Sequence, residues 1–256
     1  MRLSPRHPRY RSLLTRARLA RAHRTGLVVP EGLIAQGRGE AFDYLLGERT
    51  TPSARRAERV AARWLLAARN PVVSVNGNVA ALAAPEIARL ARSVPGLRVE
   101  VNLFHRTADR ARRVARVLRQ AGVPNVLGVR PTGRIPGLPS DRSWVDARGI
   151  LVADVCLVPL EDGDRTGALR ALGKRVISID LNPLSRTSRA ADVPIVDELS
   201  RALRAIAAEA RRLRRQGTQA RFVAFDPGRA LEEAIASIRR ELTREAARSP
   251  PSRGRR

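Results

Sequence analysis

Apolar and polar residues follow two different periods along the chain, and their alternation predicts an α/β fold. Short apolar runs rich in β-branched residues, typical of buried strands, occur at 71–75, 97–101, 126–129, 153–160, 175–179 and 193–196. Between these runs, apolar residues recur at helical spacing. Because strands that alternate with helices need crossover connections, we expect a Rossmann-like, mainly parallel sheet flanked by helices.

The parts of the chain outside this alternating core are predicted to be helical. Residues 1–70 form an N-terminal helical region, whose clearest helix has Thr51 as its cap and Pro52 at its first position. An earlier helix over residues 31–46 is expected to be interrupted, or to begin, at Gly37-Arg38-Gly39. The core is predicted to span residues 71–215, followed by a helical segment over 216–248 and a disordered basic tail over 249–256.

Two polar loops follow predicted strands, and both combine carboxylates, a Gly or Pro turn and an Arg-Thr pair. They cover residues 160–166 and 180–187. Because loops at the carboxyl ends of parallel strands form the ligand crevice, we expect a phosphorylated ligand and a cation there. Asp162 and Asp164 offer the hard oxygen ligands that Mg²⁺ prefers, and the alternative is a solvated loop or pairing with arginines.

The second loop and the last strand offer groups that suit a nucleotide. Asp180 and Asn182 can bond a ribose or a base edge, and Arg186 with Thr187 can bind phosphate. Asp197 is expected to cap the helix that follows the last strand and to present the backbone amides near Glu198 and Leu199.

Three further positions are candidates for binding or catalysis, each with a structural alternative. Gly37-Arg38-Gly39 lets the backbone approach a phosphate, or only breaks a helix. Asn76-Gly77-Asn78 lies where a strand meets a helix N-terminus, which is an anion site or a plain turn and cap. His105 is a candidate general base, or a structural hydrogen-bonding residue.

Composition and charge limit the remaining classes of function. The formal net charge is +25, which is typical of nucleic-acid partners, but all except one of the 49 basic residues are arginines, spread along the chain. We therefore favour a solvated cationic surface. The single cysteine, Cys156, lies in an apolar run and is expected to pack as a small hydrophobic residue. Neither a signal peptide nor a membrane span is recognisable, so we expect a cytoplasmic protein.

Several common kinds of binding and catalytic site are not supported, because their sequence motifs are missing. The chain has no P-loop, no G-x-G-x-x-G after a strand and no G-x-S-x-G elbow. One cysteine and three scattered histidines do not make a zinc site. Phosphate and nucleotide chemistry that relies on arginines remains.

Six strings of residues, taken together, carry a resemblance to a known family: 7–13, 32–45, 74–82, 102–104, 160–166 and 179–186. In this order they resemble archaeal 4-phosphopantoate–β-alanine ligase, also called phosphopantothenate synthetase. The resemblance implies a Rossmann-like homodimer that condenses 4-phosphopantoate with β-alanine in archaeal coenzyme A synthesis. ATP would yield AMP and pyrophosphate, and Mg²⁺ is the expected metal ion. The expected intermediate is an acyl adenylate.

The resemblance also implies which residues contact the ligands. ATP contacts map onto Arg16, Arg38, Asp180, Leu181, Asn182, Arg186, Thr187, Glu198 and Leu199. The family commonly has Asn at position 198, so the contact of Glu198 is expected through its backbone. The 4-phosphate of the substrate needs a second anion site, for which we predict Asn76, Gly77, Asn78, Asn102 and Arg106. A basic nucleic-acid-binding module and a kinase that uses the same crevice remain the competing hypotheses.

Overall fold

Six parallel strands form the central sheet of the structure, a computed structural model that describes residues 4, 6, 7 and 9–248. The described residues contain eight strands in all. In chain order they are β1 (Pro71–Val75), β2 (Arg98–Val101), β3 (Val126–Leu127), β4 (Gly133–Arg134), β5 (Trp144–Val145), β6 (Val155–Pro159), β7 (Arg175–Ile179) and β8 (Val193–Ile195). The six-stranded sheet has the order β3-β2-β1-β6-β7-β8, whereas β4 and β5 form a separate antiparallel pair. The expected Rossmann-like α/β fold is confirmed.

Nine helices are present in the described residues, and they flank the sheet, precede it or follow it. They are α1 (Tyr10–Arg24), α2 (Pro30–Leu45), α3 (Pro52–Ala67), α4 (Gly77–Ser93), α5 (Ala108–Gln120), α6 (Gly163–Ala171), α7 (Arg186–Ala190), α8 (Leu199–Arg215) and α9 (Pro227–Arg248). The Thr51 hydroxyl accepts a hydrogen bond from the Ala54 amide at 3.2 Å, which confirms the predicted cap of α3.

The two faces of the sheet are buried by different partners, because side chains alternate along each strand. Val155 and Leu157 of β6 pack with apolar residues of α1, α3, α4, α5 and α8 in the larger core. Cys156 and Val158 point to the opposite face, where α6 and the segment over residues 135–153 cover them. Cys156 is buried, as expected, and burial raises the pKa of its thiol to about 12, so it is chemically inert.

Several predicted element boundaries were wrong. Helix α2 runs through Gly37-Arg38-Gly39 without a break. Helix α6 begins at Gly163, within the first predicted loop, because the Asp162 carboxylate caps it by accepting from the Arg165 amide at 2.9 Å. Residues 186–190 form the short helix α7 where part of the second loop was expected, and α9 covers residues 227–248 of the helical segment predicted over 216–248. The predicted tail over 249–256 lies outside the described residues.

Lys174, the single lysine of the chain, serves a structural role. Its Nζ is buried and donates to the carbonyl oxygens of Leu151 and Ala153, at 2.8 and 2.9 Å. A compact ammonium group can satisfy two converging carbonyls in a narrow space, which a planar guanidinium fits poorly. This geometry explains why a lysine occupies this position in a chain in which all the other Lys and Arg positions are arginines.

None of the helices within residues 9–248 combines the length and the apolar character needed to cross a membrane.

Candidate active site

The candidate site lies at the carboxyl edge of the sheet, where the strand order reverses. The chain proceeds from β1 towards β2 and β3 on one side and from β6 towards β7 and β8 on the other, so the switch point lies between β1 and β6. Ligand crevices of open parallel sheets form at this position. Asn76 connects the β1 side of this switch point to the β6 side. The Nδ2 atom of Asn76 donates to the Leu160 carbonyl at 2.8 Å, and its Oδ1 atom accepts from the Val79 amide.

Leu160 follows β6 directly and has an unusual backbone conformation. Its φ is +51°, in the left-handed region that non-glycine residues rarely adopt. Its amide still donates to the Ile179 carbonyl at 3.0 Å, while its own carbonyl accepts from Asn76. The neighbouring strands thus hold a strained turn in place, and this turn directs residues 161–164 into the crevice.

A cavity of about 730 Å³ occupies the crevice, bounded by α2 on one side and by the strand ends on the other. Its lining has two ends, and each is named after one of the two arginines that it contains. The Arg38 end comprises Arg38, Gly39, Asp180, Leu181, Asn182, Ser185, Arg186 and Thr187. The Arg110 end comprises Gly32, Gly77, Asn78, Phe104, His105, Arg110 and Arg142. The Arg38 end includes the loop after β7, whereas Arg110 follows β2, and these two strands are three strand spacings, or about 14 Å, apart in the sheet.

At the Arg38 end, short-range hydrogen bonds shape the loop after β7. The Asp180 carboxylate accepts from the Asn182 amide at 2.9 Å, and the Asn182 side chain accepts from the Leu184 amide at 2.8 Å. Burial raises the pKa of Asp180, while the nearby positive charge of Arg38 opposes that rise. The loop therefore presents a carboxylate and an amide side chain, which can bond a ribose. Beside them lies an exposed arginine, which can bind a phosphate.

The loops after β6 and β7 approach each other closely. The Thr187 hydroxyl donates to the Glu161 carbonyl at 2.7 Å, and Arg186 pairs with Asp164. A Cβ on Gly163 would clash with the backbone and Cβ of Arg186, so the approach needs glycine there. The two Arg-Thr loops noted in the sequence thus form one continuous wall.

The floor of the cavity is a buried cluster of charges, the floor cluster, made of Arg142, Glu161, Asp162 and Arg165. Glu161 lies between two arginines, with Arg142 Nη1 at 2.8 Å from one oxygen and Arg165 Nη1 at the other. Arg165 is fully buried and also donates to the Ser74 hydroxyl at 2.9 Å. Arg142 Nε lies 2.8 Å from Asp162 Oδ2, as an ion pair without hydrogen-bond geometry.

At the Arg110 end, two arginines converge near the N-terminus of α4. The Arg110 guanidinium donates to the carbonyls of Leu27 and His105, at 3.3 and 2.6 Å. Burial lowers the pKa of Arg110, and the positive charge of Arg142 lowers it further. Asn78 links this end to α2 by donating to the Gly32 carbonyl at 2.7 Å.

Arg142 reaches the cavity from a segment that we call the covering segment, residues 128–150. The Asn102 side chain donates to the carbonyls of Arg142 and Trp144, both at 3.0 Å. Arg106 Nη2 donates to the carbonyls of Gly128 and Val129. These two residues do not line the cavity, but they anchor the segment that brings Arg142 into it.

Glu100 holds the far end of the same segment. Its two carboxylate oxygens accept from the amides of Asp146 and Ile150, at 2.8 and 2.6 Å. Complete burial raises the pKa of Glu100 to about 7, although both hydrogen bonds oppose the rise.

The structure brings many of the predicted site residues together. Those that line the cavity are Arg38, Asn76, Gly77, Asn78, His105, Asp162, Asp164, Asp180, Leu181, Asn182, Arg186 and Thr187. His105 is half exposed, and its Nε2 lies 3.9 Å from a Glu31 oxygen. Arg16 lies outside the lining and pairs with Glu40 at 2.9 Å.

The turn after β8 also lies outside the cavity lining, and its predicted cap was wrong. Glu198, rather than Asp197, caps α8, because its side chain accepts from the amides of Ser200 and Arg201, both at 2.9 Å. Asp197 is instead buried and pairs with Arg201. Leu199 is buried in the larger core.

The predicted magnesium ligands are occupied by cations of the protein itself. Asp162 pairs with Arg142 and Asp164 pairs with Arg186. Among the residues that the structure describes, no group of three or more His, Cys, Asp or Glu could hold a metal ion. The donor set does not fit a metal site built by protein alone. It fits Mg²⁺ only as an ion carried on nucleotide phosphates, for which one or two carboxylates suffice.

Sequence reasoning missed the two cations of the Arg110 end. Arg110 is one arginine among many on α5, and Arg142 lies in a segment without a regular pattern. No local signal marks them, since contacts distant in sequence place both. The available clue was Thr107, whose cap of α5 fixes which residues face the strand ends.

Comparison with known proteins assigns this architecture to one group. Residues 53–241 match the family model of phosphopantothenate/pantothenate synthetase. The chain is 58% identical over 78% of its length to 4-phosphopantoate–β-alanine ligase of Methanospirillum hungatei, with 82% of that protein covered. It is 50% identical over 94% of its length to the proteins of that name from Methanosarcina mazei and Thermococcus onnurineus, of which 96% and 93% are covered.

Proposed function

Because the chain belongs to the phosphopantothenate/pantothenate synthetase family, we propose that it is a 4-phosphopantoate–β-alanine ligase. The observation that carries the proposal is identity of 50% over 94% of the chain with proteins of that name. The cavity supports it, because a ligase of this kind must hold a nucleotide and a second phosphorylated substrate together. A single cavity with separate arginines at its two ends provides for both.

The proposed reaction forms an amide at the expense of ATP. A carboxylate oxygen of 4-phosphopantoate attacks the α-phosphorus of ATP, and pyrophosphate leaves as the P–O bond breaks. The neutral amine of β-alanine then attacks the acyl carbon, loses a proton and displaces AMP. AMP therefore keeps one oxygen of the original carboxylate.

Residues of the Arg38 end would hold the nucleotide during this reaction. Asp180 and Asn182 lie where a ribose can bond them, while Arg38 and Arg186 can neutralise negative charge on the phosphates. Mg²⁺, entering on the phosphates with Asp164 as the more exposed carboxylate, would supply additional charge neutralisation. His105 lies at the other end of the cavity, away from the nucleotide, so its predicted role as a general base is not part of this proposal.

A product assay tests the proposed function directly. We expect AMP and pyrophosphate to form only when ATP, 4-phosphopantoate and β-alanine are all present. Formation of ADP, or turnover without β-alanine, would exclude the ligase and favour a kinase that uses the same cavity.

Isotope labelling tests the intermediate separately. With ¹⁸O in the carboxylate of 4-phosphopantoate, an acyl adenylate transfers one labelled oxygen to AMP. Mass spectrometry of the AMP detects the transfer, and label in inorganic phosphate would instead indicate an acyl phosphate.

We also propose that the ligase is a homodimer, as the resemblance of its sequence implies. Light scattering coupled to size exclusion should give twice the chain mass of 28.1 kDa. A monomer mass at micromolar concentration would contradict this assembly.

A further inference from the structure

The two ends of the cavity differ in the anion that each can take. The substrate of the proposed reaction carries a phosphate at one end and the reacting carboxylate at the other. If the Arg38 end holds the nucleotide, the carboxylate must point towards it and the phosphate must lie further away. The following inference rests on the proposed function, because that function supplies the ligand.

Arg110 has an unusual electrostatic position among the four arginines of the cavity lining. Arg142 and Arg186 form ion pairs with carboxylates, whereas Arg38 and Arg110 form none within the described part of the chain. One arginine without a carboxylate partner therefore lies at each end. The hydrogen bonds of Arg110 go to backbone carbonyls, and the Glu31 carboxylate, which also lines the cavity, opposes the lowering of its pKa without forming an ion pair with it.

Arg142 adds a second positive charge beside Arg110. Its side chain is only 8% exposed, and its backbone is fixed by the Asn102 side chain. Arg142 is paired with Glu161 and Asp162, and its positive charge, after burial, still contributes to the lowered pKa of Arg110. Because both guanidinium groups line the same end of the cavity, a phosphate dianion can accept from both.

The N-terminus of α4 contributes donors to the same place. Gly77 and Asn78 are the first residues of this 17-residue helix, so their amides have no acceptor within the helix. Arg110 Nη2 lies 3.0 Å from where a Cβ on Gly77 would stand, which puts the guanidinium against the first turn. A side chain at position 77 would also meet the Leu27 carbonyl, so glycine keeps the amides accessible.

We propose that Arg110, Arg142 and the amides of Gly77 and Asn78 form the subsite for the 4-phosphate of 4-phosphopantoate. In this arrangement Arg110 is the specificity-determining residue, because it separates the phosphorylated substrate from free pantoate. Asn102 and Arg106 act as positioning residues, since they anchor the segment that carries Arg142.

The test compares Arg110→Gln with Arg113→Gln on the full chain. Arg113 lies one turn further along α5, donates to the Thr25 carbonyl at 3.2 Å and is absent from the cavity lining, so it is a matched control. Titration calorimetry without ATP or β-alanine would measure binding of 4-phosphopantoate, pantoate and inorganic phosphate. A lost charge-assisted contact corresponds to weakening of about 10- to 100-fold.

We expect Arg110→Gln to weaken binding of 4-phosphopantoate and inorganic phosphate while leaving pantoate unchanged. Arg110→Lys should restore part of the loss, and Arg113→Gln should match the wild type. Equal losses for 4-phosphopantoate and pantoate, no loss for either, or no binding of 4-phosphopantoate to the wild type would overturn the subsite. Circular dichroism and thermal unfolding of each variant separate loss of fold from loss of contact.

The two proposals can fail independently. If this binding pattern occurs but the product assay yields no AMP, the subsite stands and the ligase assignment fails. If AMP forms normally and Arg110→Gln keeps the preference for the phosphorylated substrate, the ligase stands and the subsite is wrong.

Discussion

Two clusters of paired charge, one at the floor of the cavity and one outside its lining, differ in composition. The floor cluster holds two arginines against Glu161, with Asp162 at its edge. The second cluster, which we call the acid cluster, holds Arg201 against three acids: Asp43, Asp197 and Glu58. Asp197 also accepts from the Thr50 hydroxyl at 2.7 Å.

The acid cluster reduces its excess negative charge with a proton. Burial, together with the neighbouring charge of Asp197, raises the pKa of Glu58 to about 9. Glu58 is therefore neutral at pH 7 and can donate to Asp197. Arg201 is then left with two ionised partners, which raise its pKa.

The floor cluster needs no such proton, because its two arginines are balanced by two carboxylates, Glu161 and Asp162. Its positive charges are fixed, since arginine does not release its proton in proteins. Arg142 belongs to this cluster and also lines the cavity. An excess of acid is thus reduced by a proton in the cluster that joins helices, whereas the cluster at the cavity is balanced by ion pairs.

The largest expected effect comes from removing the acid of the floor cluster. Glu161→Gln leaves Arg142 and Arg165 without the carboxylate between them, and breaking a buried pair costs about 3–5 kcal/mol. We expect the free energy of unfolding in urea to fall by that amount. Asp109→Asn, which removes a surface pair with Arg112, should change it by less than about 1 kcal/mol. Equal effects of the two variants would contradict the distinction.

A smaller effect is expected from Arg38, the other cavity arginine without an ion pair. Arg38→Gln should raise KM for ATP about 10- to 100-fold, because a contact with a charged phosphate is lost. KM for 4-phosphopantoate should stay the same. Steady-state kinetics with each substrate varied in turn measures both, and Arg110→Gln should give the reverse pattern. Variants that affect both substrates equally would mean that the two ends do not act separately.

A third effect concerns the acid cluster and its dependence on pH. The pKa of Glu58 rises from 4.5 in the unfolded chain to about 9 in the folded protein, so folding keeps a proton that the unfolded chain releases. The stability that this proton contributes is therefore fully present below pH 4.5 and is lost as pH rises through 9.

Glu58→Gln should remove this slope, because the amide resembles the protonated acid. Denaturant unfolding at a series of pH values would show the variant becoming more stable than the wild type as pH rises. Parallel curves for the two proteins would show that Glu58 is ionised in the folded state.

The sheet and the Arg38 end were predictable from sequence because local patterns determine them. Apolar runs located the strands, and the residues that follow a strand, such as Asp180 and Asn182, must lie at its carboxyl end. Thr51 and Pro52 marked the start of α3 in the same way. Each of these signals extends over a few consecutive residues.

Arg110 and Arg142 could not be predicted as site residues, because contacts between distant residues select their side chains. Arg106 and Arg110 are one helical turn apart in sequence, yet Arg106 turns to the carbonyls of Gly128 and Val129 while Arg110 faces the cavity. Asp162 shows a related ambiguity, since a carboxylate before glycine suits a metal turn as well as the helix cap that the structure has.

The single lysine has a consequence for the chemistry of the proposed reaction. An acyl adenylate reacts with any accessible unprotonated amine, including lysine side chains of the enzyme that made it. The sequence has no lysine besides Lys174, whose Nζ is buried and bound to two carbonyl oxygens. The acyl adenylate of the proposed reaction would therefore meet no accessible lysine side chain on the enzyme that makes it.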